Sequence, residues 1–385
     1  MERANIVIIG GGVIGCAIAY ELAARWQDVF LLERAPKPGM GASTRNSGVI
    51  HSGIYYANGS LKARFCVEGN RLLHEFCAAH GVPHRRTGKL VVAAHPDETS
   101  ELEALAANGC RNGVEGLEII DRAAIRAREP HVEGAAALLV PSTGIVSADD
   151  LVKRLARLAS VRGVHILTHA RVASLTPRPG GIEAGVEIEA AEEGRTSTHE
   201  SVEARCVINC AGLYADEVAA MLGTTGYRIY PVRGEYAEIV RGRADLVRGL
   251  VYPLPHPEGM SLGVHLTRTV WNTVLVGPTA RYVARKDDYE SDRLPIEEFV
   301  RRARPLLPEL KAEDLCLAYS GLRAKLVAPR DASGNEPAGP APDFVIARDA
   351  AVPSAIHLIG FESPGLTSCL SVARHVAQLA AETLP

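Results

Sequence analysis

Three of the four glycines in the first fifteen residues constrain this chain more than any other feature. Gly10, Gly12 and Gly15 stand at GxGxxG spacing, between an apolar run at residues 6–9 and a helical pattern that reaches about residue 25. A second apolar run, residues 29–32, ends on Glu33. This order predicts strand, tight turn, helix and strand. Gly10 makes the turn, Gly12 lets the backbone approach a pyrophosphate, and Gly15 lets the helix pack closely on the strand. The helix start offers unpaired N–H groups and the positive end of a dipole to phosphate. Glu33 stands where a carboxylate accepts the hydroxyls of an adenosine ribose. The stretch therefore reads as a dinucleotide site.

A chain of 385 residues is long for one core, so two domains are expected. The formal net charge of -3 gives no global attraction to nucleic acid or to an anionic membrane. The eight cysteines form no CxxC pair. Cys206 and Cys210 flank a strand and a turn, and Cys16, Cys66, Cys77 and Cys369 lie in apolar runs as buried free thiols. That pattern suits a reducing, cytoplasmic compartment. No apolar run reaches the roughly 20 residues that span a bilayer, so any membrane association would be peripheral, on the inner face. The apolar N-terminus is read as the dinucleotide fold rather than a signal peptide, because cleavage would destroy the site.

Beyond Glu33, residues 41–56 (GASTRNSGVIHSGIYY) are dense in small polar residues, with His51, Tyr55 and Tyr56 set beside glycines. The segment is suited to wrapping a cofactor with the hydroxyls of Ser43, Thr44 and Ser47. Residues 61–77 are amphipathic and helical. Strands are expected at 88–94, 117–120 and 164–167, and helices at 97–107, after Asp121, and at 151–162. Residues 185–190 and 202–204 alternate like a hairpin. CVINCAG, residues 206–212, is a buried strand ending in a small turn before a helix at 214–222. Residues 227–277 are strand-rich and mainly antiparallel. A helix-rich insert follows at 296–307, then 315–326. The Pro/Gly-rich loop at 329–342 is expected to carry no chemistry. The chain closes on an apolar strand at 356–361, a Glu362-Ser363-Pro364-Gly365 turn, and a helix from 366 to 382 with Ser363 as N-cap.

One phosphate fingerprint fits NAD or FAD. The N-terminal position of the fingerprint and the closing strand, Ser-Pro-Gly and helix favour FAD. A helix N-terminus beside the pyrimidine ring of a flavin stabilises its reduced, negatively charged form. The stretches GGGVIGCAIAYELA, RNSGVIHSGIYY, SLKARFCVEG, TGIV, INCAGLYAD, RGEY, YPLP, LGVHLT and FESPGLTS resemble, in order, the L-2-hydroxyglutarate dehydrogenase/oxidase branch of the D-amino-acid-oxidase-like flavoproteins, over nearly the whole chain. The resemblance implies a mixed α/β fold: a Rossmann-like FAD-binding domain interleaved with an antiparallel-sheet substrate domain. We expect the former from residues 1–80, 145–225 and 315–385, and the latter from 81–144 and 226–314. It implies FAD contacts from Gly10, Gly12, Val13, Ile14, Gly15, Glu33, Arg34, Ser43, Thr44, Arg45, Asn46, Ser47, Gly48, Val49, Arg171, Val172, Ala211, Gly212, Gly321, Pro364, Gly365, Leu366 and Thr367. Arg45 stands where related branches carry a histidine that tethers flavin, so the FAD is expected to be non-covalent. Lys325-Leu326 after GLRA also departs from the family pattern.

The implied reaction is oxidation of the CH–OH of a small L-2-hydroxy acid, L-2-hydroxyglutarate first, to the 2-oxo acid by hydride transfer to flavin N5. Such a reaction needs a base near neutral pKa and cations for the carboxylate. Among thirteen histidines, His51 follows the cofactor loop, and His265 alternates with Leu262, Val264 and Leu266 and so faces the other way. Arg323 is the first choice for the carboxylate and Arg233 the second. A five-carbon diacid needs a further anion site, for which Lys325, Arg268 and Arg45 are candidates. Tyr55, Tyr56, Tyr252 and Ser363 are placed at the substrate. The electron acceptor is oxygen, a quinone or an electron-transfer protein. Three alternatives stand beside this: an amino-acid or secondary-amine oxidase of the same fold, a flavin-binding partner module without turnover, and NAD dependence without flavin.

Overall fold

The computed structural model describes residues 2–189, 197–255, 263–330 and 342–384. The strand Glu2–Ile9 sits in the middle of an eight-stranded sheet. It pairs in parallel with Val29–Leu32 on one side and Thr198–Asn209 on the other. His165–Leu167 extends the parallel set beyond Val29–Leu32, and Ala355–Ile359 lies parallel on Thr198–Asn209. The hairpin Ala170–Arg178/Gly181–Ile188 and the strand Val345–Arg348 add antiparallel pairings. Residues along the first strand alternate between faces, as a strand requires. Ile6 and Ile8 meet the helices Val13–Leu22, Leu61–His80, Ala148–Val161 and Gly365–Thr383, whereas Val7 and Ile9 join the core on the opposite face.

Local chemistry explains the boundaries of these helices. Ser60 caps Leu61–His80 by accepting from Ala63 N, and Gly81, in the left-handed region at φ 66°, ends it. Ser147 caps Ala148–Val161, with Asp149 and Asp150 in the first turn.

The second sheet has nine strands. Arg281–Tyr282, Tyr230–Ile239, Val274–Gly277, His265–Arg268 and Leu250–Pro253 follow one another antiparallel. Leu90–Ala93 then joins in parallel, followed by Ala136–Leu139 and Glu118–Asp121. The ninth strand is Leu315–Lys325, antiparallel to Tyr230–Ile239. Residues 315–325 are therefore strand, not a continuation of the helix Ile296–Ala303, and they pair in the second sheet rather than with the cofactor strands. The cause is a pairing partner some eighty residues earlier. Along it Leu322 and Ala324 enter an apolar cluster while Arg323 and Lys325 take the other face.

The closing helix also differs from expectation. It starts at Gly365 with Pro364 in the N-cap position and no side-chain cap. The Ser363 hydroxyl is instead 3.1 Å from His51 Nε2. The 329–342 loop falls largely on residues outside those described, as does Leu262. A small third sheet of Val49–Ile50, Gly144–Val146 and His84–Arg86 fixes the segment that leads to His51. Among the described residues no helix is long and apolar enough to cross a membrane.

Candidate active site

The glycine turn lies at the C-terminal end of the parallel strands, where open α/β sheets bind ligands. Gly10 has φ +105°, and a Cβ there would lie 2.5 Å from the Cys210 carbonyl oxygen. A Cβ on Gly15 would lie 2.0 Å from the Gly10 carbonyl oxygen. Both positions therefore exclude a side chain, and Gly12 caps the helix Val13–Leu22 with bare backbone. Val13 N donates to Ser43 Oγ at 2.8 Å, which ties the 41–56 loop to the helix start. The Glu33 carboxylate accepts from Gly11 N and Ala35 N, each at 2.7 Å.

A single cavity of about 920 Å³ runs from this cradle to the second sheet, a size that suits a large bound ligand. Gly10, Gly12, Val13, Ile14, Glu33, Arg34, Ser43, Arg45, Asn46, Ser47, Val49, Ala211, Gly212, Gly321, Pro364, Gly365 and Leu366 all line it. So do His51, Tyr55, Tyr56, Tyr252, His265, Arg323, Lys325 and Ser363. Two arginines stack at this wall: Arg34 lies 3.7 Å from the Tyr214 ring centre and Arg45 lies 4.3 Å from that of Tyr289. Gly321 is a close approach, since a Cβ there would stand 2.0 Å from the Arg45 carbonyl oxygen.

Other expected residues lie behind the wall or away from it. Gly15 sits in the helix–strand contact. Thr44 Oγ1 donates to the Gly39 carbonyl at 2.8 Å. Gly48, at φ +68°, leaves no room for a Cβ beside the Val146 carbonyl. Thr367 Oγ1 accepts from His51 N at 2.9 Å and so seats the histidine backbone on the closing helix. Arg171 is an exposed partner of Glu187 and, with Val172, belongs to the edge hairpin rather than the cavity. Arg233 is fully buried among Glu235, Asp288, Ser291 and the Asp292 carbonyl, and is a structural hub of the second sheet rather than a substrate group. Arg268 donates to the Ala244 and Val247 carbonyls and lies off the cavity.

The two candidate bases face one another's field. His265 Nδ1 is 2.9 Å from the Gly263 carbonyl oxygen. A carbonyl only accepts, so Nδ1 carries the hydrogen and Nε2 keeps a lone pair. His265 also stacks on Tyr252. His51 Nε2 meets Ser363, whose hydroxyl is 3.4 Å from Tyr56 OH. His51 Nδ1 is buried without a partner among the described residues. Burial pushes both imidazoles down, His51 to about 3 and His265 well below its ordinary value, and the charges of Arg323 and Lys89 push the same way. Both rings are thus neutral proton acceptors at pH 7.

Four features of the wall escape the sequence reading. Lys89 is buried behind Tyr55 and Tyr252. Tyr236 lines the cavity beside Arg323. Asp343 accepts from Leu61 N and Lys62 N at the start of their helix. Lys62 and Glu362 form a buried pair at 3.1 Å. Burial opposes the Glu362 charge, but Lys62, Lys325 and Arg323 together hold its carboxyl below the ordinary range. Lys62 sits in SLKARF at the start of an amphipathic helix, and Lys89 is the one charged residue of the strand expected at 88–94. Neither carries a local signal of burial.

A glycine cradle sharing one cavity with two neutral imidazoles and an arginine defines a dinucleotide-dependent oxidoreductase. The family model described as FAD dependent oxidoreductase (DAO) matches residues 5–379. The chain belongs to this family, and its cofactor is FAD. It is 33% identical to an L-2-hydroxyglutarate dehydrogenase of Salmonella houtenae, over 97% of this chain and 92% of that protein. It is 34% identical to the mitochondrial L-2-hydroxyglutarate dehydrogenase of Arabidopsis thaliana, over 98% of this chain and 83% of that protein. Among solved structures it is similar to the dithionite-reduced, FAD-bound L-alpha-glycerophosphate oxidase of Mycoplasma pneumoniae. That match has a TM-score of 0.84 and 25% identity, and covers 99% of this chain and 95% of the other. The L-proline dehydrogenase of P. horikoshii shares the fold at a TM-score of 0.78, 19% identity, and 99% and 94% coverage. The cavity fits the cofactor: a backbone cradle closed to any Cβ at Gly10 and Gly15 lies at one end, and the start of the closing helix at Gly365 lies farther along the same wall.

Proposed function

We propose that this protein oxidises L-2-hydroxyglutarate at its CH–OH carbon to the 2-oxo acid. The observation that carries the reading is that His265, with its tautomer set by Gly263, and Arg323 share one cavity with the FAD cradle. Arg323 holds the carboxylate next to the reacting carbon through its two-pronged guanidinium. His265 Nε2 takes the hydroxyl proton, and the Gly263 carbonyl stays bonded to Nδ1–H in the imidazolium that results. Lys325 follows Arg323 by two residues, on the same face of Leu315–Lys325, and holds the second carboxylate. FAD, when bound, supplies the acceptor for the hydrogen on C2 and its electron pair. It is held without a covalent bond, Arg45 having no ring nitrogen to offer. Tyr55, Tyr56, Tyr236 and Tyr252 restrict water around the reacting carbon.

A second reading of the base rests on His51 Nδ1, which has no partner among the described residues. If His51 Nε2–H donates to Ser363, that Nδ1 is the acceptor. Parallel His265→Gln and His51→Gln variants separate the two, because the variant that removes the base suffers the larger loss of flavin reduction rate.

The function is tested by identifying the product. Purified holoprotein with L-2-hydroxyglutarate and an artificial electron acceptor should yield 2-oxoglutarate stoichiometrically, and the D enantiomer should yield none. Turnover of glycine, sarcosine or proline, with no response to 2-hydroxy acids, would replace the proposal by amine oxidation.

A further inference from the structure

A lysine ammonium is almost never taken out of water unless paired. Lys89 is 2% exposed, and among the described residues it has no carboxylate partner. Its backbone is fixed by reciprocal hydrogen bonds with Val140, of 3.1 and 2.9 Å. Its ammonium is met by aromatic groups. Nζ donates to Tyr55 OH at 3.2 Å and lies 4.3 Å from the Tyr55 ring centre and 4.6 Å from that of Tyr252. Tyr252 in turn carries His265 on its face. The lysine thus stands directly behind the wall whose front includes the proposed base.

We propose that Lys89 is a positioning residue for the oxidation: from behind the wall it turns the Tyr55 hydroxyl hydrogen into the cavity as a donor to substrate, and it braces the Tyr55 and Tyr252 rings that back His265. The direction follows from donor counting. An ammonium has three donors and no lone pair, so the Tyr55 oxygen accepts from it. The phenolic hydrogen must then point elsewhere, and Tyr55 lines the cavity. The two ring contacts are cation–π interactions in a dry setting, where they are strongest.

The charge acts at a distance too. It adds to burial, the larger cause, in disfavouring the protonated forms of His51 and His265. Burial lowers the pKa of Lys89 itself to about 7. The groups around it are Cys66 on the helix Leu61–His80, Tyr55, and Tyr252 on Leu250–Pro253, with His51, His265 and Arg323 beyond them. Below about pH 7 the ammonium therefore keeps the Tyr55 hydroxyl hydrogen turned to the cavity, and above it, in the ligand-free enzyme, the neutral amine offers a lone pair that takes this hydrogen back.

The proposal rests on the reading that substrate meets Tyr55 in this cavity. Its test is a double-mutant cycle of Lys89→Met and Tyr55→Phe on FAD-loaded protein. FAD absorbance and thermal midpoint serve as folding controls. Each single variant should lower kcat/KM by about 10- to 100-fold, the size of one charge-assisted hydrogen bond. The double variant should lose little more than either single one. The fall of kcat/KM above about pH 7 in the wild type should be absent from Lys89→Met. Additive losses, or an unchanged kcat/KM in Tyr55→Phe, would overturn the proposal. Should Lys89→Met fail to fold, the pH profile of Tyr55→Phe decides it: the fall of kcat/KM above about pH 7 should be absent from that variant, and its persistence there would overturn the proposal. If L-2-hydroxyglutarate does not reduce the wild type, the substrate assignment fails separately. The same cycle is then run with whichever 2-hydroxy or 2-amino acid does.

Discussion

His265 lies flat against Tyr252, with ring centres 3.8 Å apart and 13° between planes, while its Nδ1 is held by the Gly263 carbonyl. The stack fixes the plane of the imidazole and the carbonyl fixes its tautomer. Replacing His265 by Gln should slow flavin reduction by about 10²- to 10⁴-fold, the range of general-base catalysis, with FAD absorbance retained. Rapid-mixing absorbance measures this directly, and a rate within twofold of wild type would remove His265 from the chemistry.

Arg323 and Lys325 divide the two carboxylates between them in this account. Arg323→Met should raise KM about 10- to 100-fold for every 2-hydroxy acid. Lys325→Met should do so for L-2-hydroxyglutarate but leave a four-carbon monoacid such as L-2-hydroxybutyrate unaffected. Steady-state kinetics with both substrates tests the split.

The Lys62–Glu362 pair has side-chain exposures of 5% and 9%. Removing Lys62 leaves the buried Glu362 carboxylate without its hydrogen-bonded partner, with only the charges of Lys325 and Arg323 in its field. Lys62→Met should therefore cost about 3–5 kcal/mol of stability. The double variant Lys62→Met/Glu362→Gln should recover most of that loss. Denaturant unfolding of the FAD-loaded protein gives both numbers.

Acid should destabilise the protein through its buried histidines. Burial lowers His51 to about 3 and His74 to about 4, and holds His265 well below its ordinary value. Between pH 6.5 and these values the unfolded chain binds protons that the folded chain does not, so stability rises with pH across that window. The contribution is complete above about pH 6.5 and lost as pH falls towards 3–4. A thermal midpoint that drops steadily from pH 7 to 4.5, with a smaller drop in His74→Gln, is the expected result.

The cofactor end of this site was legible because its determinants are contiguous. Gly10, Gly12, Gly15 and Glu33 lie within one strand–helix–strand unit, and each demand is local. Both histidines line the cavity, and each was picked out locally, His51 by its place after the cofactor loop and His265 by its alternation with apolar neighbours. The sequence ranks Arg323 above Arg233 for the carboxylate but keeps both as substrate candidates. Each lies on a strand within two residues of a glycine, and only the Glu235 and Asp288 partners, one of them over fifty residues away, mark Arg233 as structural. The strand Leu315–Lys325 was misread for the same cause: its apolar content suits a helix until Tyr230–Ile239 lies beside it. Lys89 was invisible because burial of a single lysine is a property of the assembled wall.

The most direct test of the central claim is an anaerobic absorbance titration of the FAD-loaded protein with the two enantiomers of 2-hydroxyglutarate. Complete bleaching of the oxidised flavin by the L form at one equivalent, and none by the D form, is the expected result. A flavin that stays oxidised with L-2-hydroxyglutarate, yet is bleached by dithionite, would contradict it.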